Sequence, residues 1–489
     1  MTATAFCHRA PCLPSPASGE GKKRWNRLRR GIAVATAIAV AAGHLPTLPA
    51  HAQEKDAAQA LPLIRDAEIE QLLRDYTYPI LRAAGLGQRN IRIVIINDRG
   101  FNAFVIDAKR IFVNAGALME AETPNQIIGV LAHETGHIAG GHLSKLRGEL
   151  ANAQTAAILA MLLGLGAVAA SAASRGNVGG NPMAAIVGPQ TMIMRSLLAY
   201  QRQQEEQADR AAVNFLNHSG QSAKGMYDTF KRFADQQLFA SRYVDPYVQS
   251  HPMAAERIAA LAEVAKANTF WDKKDPPELQ QRHDVVRAKL FGYLDQPDTL
   301  LRRYPLTNTS LAARYARAIS SYRHSDLRTA LGQIDSLIQT QPNNPYFLEL
   351  KGQTLVDSGR SRDAIAPLRH AISLAPDPTL IHVLLAQALI GANDPALIDE
   401  AISNLRKALA NDAEIADAYE HLAMAYGRKG NLAEADLASA QAALNRGSLP
   451  TARQLASRAK GRFPIGSPGW VKADDIASYK PPQPRHLVP

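Results

Sequence analysis

The chain has 489 residues, 46% of them hydrophobic and 20% charged; that is room for two or three folded domains and excludes a disordered or low-complexity protein. Its formal charge of +11 gathers at the start, where Arg9, Lys22, Lys23, Arg24, Arg27, Arg29 and Arg30 stand against the single acid Glu20 within residues 1–52. About +5 remains beyond residue 52, too weak a basic balance for a nucleic-acid partner.

Lys22–Arg30 is a basic segment, Ile32–Ala42 a short apolar one, and Ala50-His51-Ala52 a small-residue cleavage pattern, so residues 1–52 are expected to be a signal peptide. The apolar run is too short to cross a bilayer. Both cysteines, Cys7 and Cys12, fall inside residues 1–52, so the processed chain would carry no disulfide, and the bacterial periplasm is the expected compartment. Residues 62–85 have Ile64, Ile69, Leu72, Leu73, Ile80 and Leu81 spaced for one helical face. Ile91–Ile96 is a β-branched strand, and Asn102–Ile106 and Arg110–Asn114 make a hairpin around Asp107-Ala108-Lys109. Thr123-Pro124-Asn125-Gln126 opens a helix that runs into His133. The uncharged run Ala156–Ala173 and the weaker stretch Met183–Tyr200 are read as a lid over the active site, with a membrane-surface element second and a true span last. Helices follow to residue 270, and Asp272–Pro277 ends the catalytic domain, placed at residues 53–271. A helical connector occupies 272–308.

The C-terminal third repeats. Small residues recur at Ala318, Gly352, Ala386 and Ala423; a second series is Ala330, Ala364, Ala401 and Ala435, and a third is Leu337, Ala371, Ala408 and Ala442. The step is 34 residues, lengthened once where Asn393-Asp394-Pro395 supplies extra residues. Helix pairs at that period are tetratricopeptide repeats, expected at 309–463, with an irregular tail over 464–489. The fold class is therefore α+β: a mostly helical zincin-type (gluzincin-like) domain with a small β-sheet, plus an α-solenoid.

The chemistry sits in His133-Glu134-Thr135-Gly136-His137. Spacing i, i+4 sets two imidazoles one helical turn apart on one face, where both can reach a single Zn²⁺, and Glu134 beside them can act as general base for the attacking water. Ordinary surface histidines on a helix are the bland alternative. A catalytic zinc needs a third protein ligand. His142 falls one residue short of the position a further downstream ligand would need, so it is read as structural. In Glu205-Glu206-Gln207-Ala208-Asp209, Glu205 and Asp209 share a helix face: Glu205 is the third-ligand candidate, and Asp209, one turn on, can orient a ligand histidine.

An H-E-x-x-H motif followed some 70 residues later by E-x-x-x-D resembles the M48 peptidase family, here joined to a signal peptide and C-terminal repeats. The resemblance implies that His133, His137 and Glu205 bind one zinc, that Glu134 is the general base and that Asp209 is a proton donor. It also implies a substrate-binding edge strand at Asn102-Ala103-Phe104, and a regulatory cap on the zinc from His251 in Ser250-His251-Pro252…Arg257-Ile258. Judged on its own residues, a lone histidine before proline is more often a packing residue. The Asp107-Ala108-Lys109 turn departs from the Gly-rich turn common in the family.

The expected activity is zinc-dependent endopeptidase action on extended, misfolded chains, with the repeats selecting them. By resemblance, the partners are outer-membrane β-barrel proteins in assembly and their assembly machinery, in a periplasmic protein that touches the membrane at most peripherally. The rival from another class is a chaperone or assembly factor that binds through its repeats and keeps the protease site latent.

Overall fold

The computed structural model describes residues 61–151, 182–239 and 246–481. The expected signal peptide, the apolar run Ala156–Ala173 and the last eight residues lie outside them. Chain order begins with a short strand, β1 (Leu63–Ile64), then α1 (Ala67–Ala83), β2 (Arg92–Ile96), β3 (Ala103–Asp107) and β4 (Arg110–Asn114). Ile64 is therefore on a strand, not on the first helix as its spacing suggested. Asp66 sets the boundary: its backbone is extended and its carboxylate accepts the Ile69 amide, capping the helix two residues after Ile64.

The sheet order is β1-β2-β4-β3. β2 runs parallel to β4, whereas β3 pairs antiparallel with β4 through an irregularity between Val105 and Asp107. β3 thus lies at one edge. One face of the sheet, with Ile95, Ile111, Val113 and Ala103, packs on Ile69, Leu72, Tyr76 and Ile80 of α1 and on Ile127, Ile128 and Leu131 of the next long helix. The other face carries Ile96 and Phe112, with Phe104 stacked on Phe112 at 5.5 Å between ring centres.

A short helix, α2 (Ala115–Glu120), leads into α3 (Pro124–Gly140), whose entry is fixed by proline at its first position and by the Gln126 side chain accepting the amides of Glu122 and Thr123. Then come α4 (Pro182–His218), α5 (Lys224–Phe239), α6 (Pro246–Ser250), α7 (Ala255–Lys266) and α8 (Pro277–Leu294). Met183–Tyr200 lies within α4, and among the described residues no helix is long and apolar enough to cross a membrane.

From α9 (Pro297–Arg303) onward the chain is helical throughout, ending in α19 (Pro468–Ser478). The small-residue series fall where consecutive helices press together: Ala318, Ala330, Ala364, Ala371, Ala386, Ala401 and Ala408 are fully or almost fully buried. A Cβ on Gly352 would meet Leu368 at 2.5 Å, so the close crossing requires glycine. The lengthened step is accounted for locally: Asn393 takes a left-handed backbone at φ 54° and a single 3₁₀ turn, Pro395–Leu397, follows. The expected irregular tail is instead helical over α19, because Ser467 caps it, Pro468 pre-forms its first turn, and Ala473 and Ile476 bury against Ala452, Ala456 and Ala459.

The helical array also grips Arg65, Glu68 and Arg92, at the first described elements. Asp412 pairs with Arg65 at 2.9 Å and with Arg92 at 2.7 Å, and Tyr315 donates to Glu68 at 3.0 Å.

Candidate metal centre

His133, Glu134 and His137 project from α3, and Gly136 between them serves its packing. Gly136 meets α4 so closely that a Cβ there would stand 2.8 Å from the Ala208 carbonyl oxygen. This contact lets the helix that carries Glu205 and Asp209 lie directly on the one that carries the histidines. Glu205 and Asp209 are both buried, at 4% and 3% exposure, beside a fully buried His133.

His133 Nε2 is 3.0 Å from His137 Nε2 and 3.3 Å from a Glu205 oxygen, and His137 Nε2 is 3.5 Å from the other Glu205 oxygen. His251 joins them: its Nδ1 lies 3.3 Å from His133 Nε2 and 3.1 Å from Glu205. One donor atom from each of His133, His137, Glu205 and His251 falls within 4.8 Å of the rest. A tetrahedral ion with bonds of about 2.0–2.1 Å sets its ligand atoms roughly 3.3–3.4 Å apart, so this donor set fits one cation. Three imidazoles and a carboxylate are also the ligand chemistry that zinc favours.

Each donor is held from behind. His133 Nδ1 lies 2.9 Å from an Asp209 oxygen, a contact that favours a proton on Nδ1 and leaves Nε2 turned toward the other donors. Arg257, from α7, fastens both carboxylates: its Nε and Nη2 donate to Asp209 at 2.7 and 2.8 Å, and Nη1 lies 2.8 Å from Glu205. The backbone amide of His251 donates to the Tyr247 carbonyl of α6, and the two rings lie 4.7 Å apart between centres, tilted by 31°. Phe230 of α5 closes the apolar side, edge-on to His133 at 5.2 Å.

The electrostatics follow from burial and this wiring. Burial opposes charge on Asp209, but Arg257 and His133 hold its carboxyl down at about 2. Burial likewise opposes charge on Glu205, and His251, His133 and Arg257 hold it well below the usual carboxylate range. Burial pushes the Glu134 carboxyl up, against the pull of His251 and His133. Among the described residues nothing donates a hydrogen bond to its two oxygens, and the His251 Nε2 ring nitrogen is 3.5 Å away. Glu134 is thus a buried carboxylate with its lone pairs uncommitted beside the donor cluster, which suits proton transfer.

Asn102, Ala103 and Phe104 stand at the start of the edge strand β3, and Asn102 is joined to the cluster's rim by the Ser250 hydroxyl at 3.4 Å. All of the sequence-selected residues therefore fall in one region. Two groups escaped that selection. In the sequence Arg257 stands out only within the Ser250-His251-Pro252…Arg257-Ile258 segment of the family, and nothing in its spacing marks a clamp on two carboxylates. His142, read from the sequence as structural, places its Nδ1 3.1 Å from His137 Nδ1.

Residues 64–265 match peptidase family M48. The chain is 24% identical over 336 residues to the beta-barrel assembly-enhancing protease of Yersinia pestis, covering 67% of each chain. It is 23% identical over 328 residues to the protein of that name in Escherichia coli strain K12, covering 65% of this chain and 64% of the relative. A shorter likeness, 30% over 179 residues, joins it to the metalloprotease LoiP of the same strain, covering 37% of this chain and 64% of that one. The chain thus spans about two thirds of the length of these relatives. Residues 64–265 are an M48 peptidase domain, and the chain is a metallopeptidase.

Proposed function

We propose that this chain is a zinc endopeptidase in which His133, His137 and Glu205 hold the ion, Glu134 is the general base and His251 closes the site at rest. The observation that carries this is the convergence of those ring nitrogens and the Glu205 carboxylate beside the uncommitted oxygens of Glu134. A zinc ion in such a set supplies a Lewis acid that polarises the scissile carbonyl and makes water nucleophilic near neutral pH. Glu134 takes the proton of the attacking water and passes it to the leaving amine. Asp209 acts by orienting His133. Both its oxygens are engaged by Arg257 and His133 and it stays ionised to about pH 2, so the proton-donor role implied by family resemblance is not part of this reading.

An extended peptide would add to β3 at Asn102–Phe104 through main-chain hydrogen bonds, a mode tolerant of sequence and suited to misfolded chains. Peptidases of this class keep one position open for substrate. His251 Nδ1 stands where it would fill that position, so its withdrawal, with α6, is the step that admits substrate. The C-terminal helices, read as tetratricopeptide repeats, would select partners. The names of the relatives point to assembly of outer-membrane β-barrel proteins, and a signal peptide at residues 1–52 would deliver the chain to the periplasm.

The same closing by His251 favours a second reading, a binding protein in barrel assembly with a latent protease. Replacing Glu134 with Gln separates the two. Loss of peptide cleavage by about 10²–10⁴-fold with zinc retained is expected of the peptidase. His251→Ala should raise cleavage of an unfolded protein substrate. Unchanged cleavage in Glu134→Gln removes the proposed base, and no cleavage by the wild type or by His251→Ala leaves the binding reading.

A further inference from the structure

We infer that His142 is a positioning residue for the centre, accepting the Nδ1 proton of His137, and that Gly140 and Gly141 are there to build that contact. The inference rests on the reading of His137 as an ion ligand.

Two imidazole Nδ1 atoms 3.1 Å apart bond only if one donates and the other accepts. His137 turns its Nε2 into the donor cluster, 3.0 Å from His133 Nε2. Its lone pair must then be at Nε2 and its proton at Nδ1, which leaves His142 Nδ1 as the acceptor and places the His142 proton on Nε2. The pair plays the part that Asp209 plays for His133 on the opposite side of the cluster.

The backbone is arranged for it. Helix α3 ends at Gly140, and Gly141 takes a left-handed conformation at φ 62°, which reverses the chain and returns residue 142 toward the last turn it has just left. The His142 ring then lies over Gly140, where a Cβ would stand only 2.2 Å from His142 Nε2. The ring is 4% exposed, and Gln204, next to Glu205, donates to the His142 carbonyl at 3.3 Å. A histidine carried only for packing would not need its Nδ1 aimed at a ligand nitrogen, or two consecutive glycines to bring it there.

The test is zinc affinity of the purified full chain, measured by competition with a chromophoric chelator. His142→Ala is expected to bind zinc about 10–100-fold more weakly than wild type. His142→Asn, whose amide oxygen reaches the place of Nδ1, is expected to recover most of that loss. Should the alanine variant not fold, Gly140→Ala asks the same question: it displaces the ring while favouring the helix, and the same weakening is expected. Wild-type affinity in His142→Ala or in Gly140→Ala overturns the inference. Failure of His142→Asn to recover the loss also overturns it, because ring packing would then be what matters. A wild-type chain that takes up no zinc is a distinct failure, that of the ion site itself, and removes the inference with it.

Discussion

Among the described residues, a buried cluster of ionisable groups around Lys289 and another around His133 solve the same problem in opposite ways. Around Lys289 of α8, Asp66 and Glu68 approach the ammonium at 2.7 and 3.2 Å, and Tyr315 donates to Glu68. A protein cation sits among the carboxylates; burial works against it, but Asp66 and Glu68 hold Lys289 well above its usual range. Around His133, Arg257 serves the outer edges of Glu205 and Asp209, while three ring nitrogens and a carboxylate turn toward one another. Lone pairs that converge without protons to share are costly unless a cation joins them. In the first cluster the protein's own ammonium answers the carboxylates of Asp66 and Glu68, and the contact joins the peptidase domain to the helical array. The second is a ligand set.

Removing the internal cation should break the first cluster most severely. Lys289→Met leaves Asp66, Glu68 and the buried Glu349, whose carboxyl burial already raises to about 8, without their partner. A loss of about 3–5 kcal/mol in denaturant unfolding is expected, with one zinc still bound per folded chain. Unaltered stability would mean that the cluster does not hold the two parts together.

Next in size is a pH effect at a third buried group that needs no ion. His283 bonds to the Tyr76 hydroxyl at 3.0 Å and to the Ala121 carbonyl at 2.8 Å, and burial lowers its pKa to about 4. The unfolded chain protonates near 6.5, before the folded one, so protons favour unfolding. The stability held by neutral His283 is full above pH 6.5 and is lost as pH falls toward 4. Over that window about 3 kcal/mol of the difference between wild type and His283→Gln should disappear, read by denaturant unfolding at pH 7 and pH 4. A difference independent of pH would contradict the buried neutral form.

Smallest is the clamp of the second cluster. Arg257→Gln should weaken zinc binding about 10–100-fold, and Arg257→Lys should recover only part, because an ammonium cannot make the forked contact with Asp209 while reaching Glu205. Full recovery by lysine would reduce Arg257 to a charge.

What could be seen in the sequence was whatever a regular period carries. The i, i+4 pairs His133/His137 and Glu205/Asp209 are fixed by helix geometry, and the need for a third ligand joined them across some 70 residues. The 34-residue series marked positions that are buried between helices. Where the chain leaves a period, the reading failed. His142 lies beyond the end of α3, where the left-handed Gly141 turns the chain, so helical spacing from His137 does not place it. The spacing puts Ile64 on a helix that Asp66 starts later, and the tail expected to be irregular holds a helix that Pro468 begins. His251 and Arg257 reach the site only through the turn between α6 and α7, a tertiary placement that no local pattern encodes; family resemblance alone pointed to His251.

The most direct measurement is the zinc content of the purified chain beside that of Glu205→Ala, which alters the ligand most distant in sequence from the H-E-x-x-H motif. One equivalent per wild-type chain and far less in the variant is the expected result. A full equivalent retained without Glu205, or none in the wild type, would contradict the convergence of α3 and α4 on a single ion.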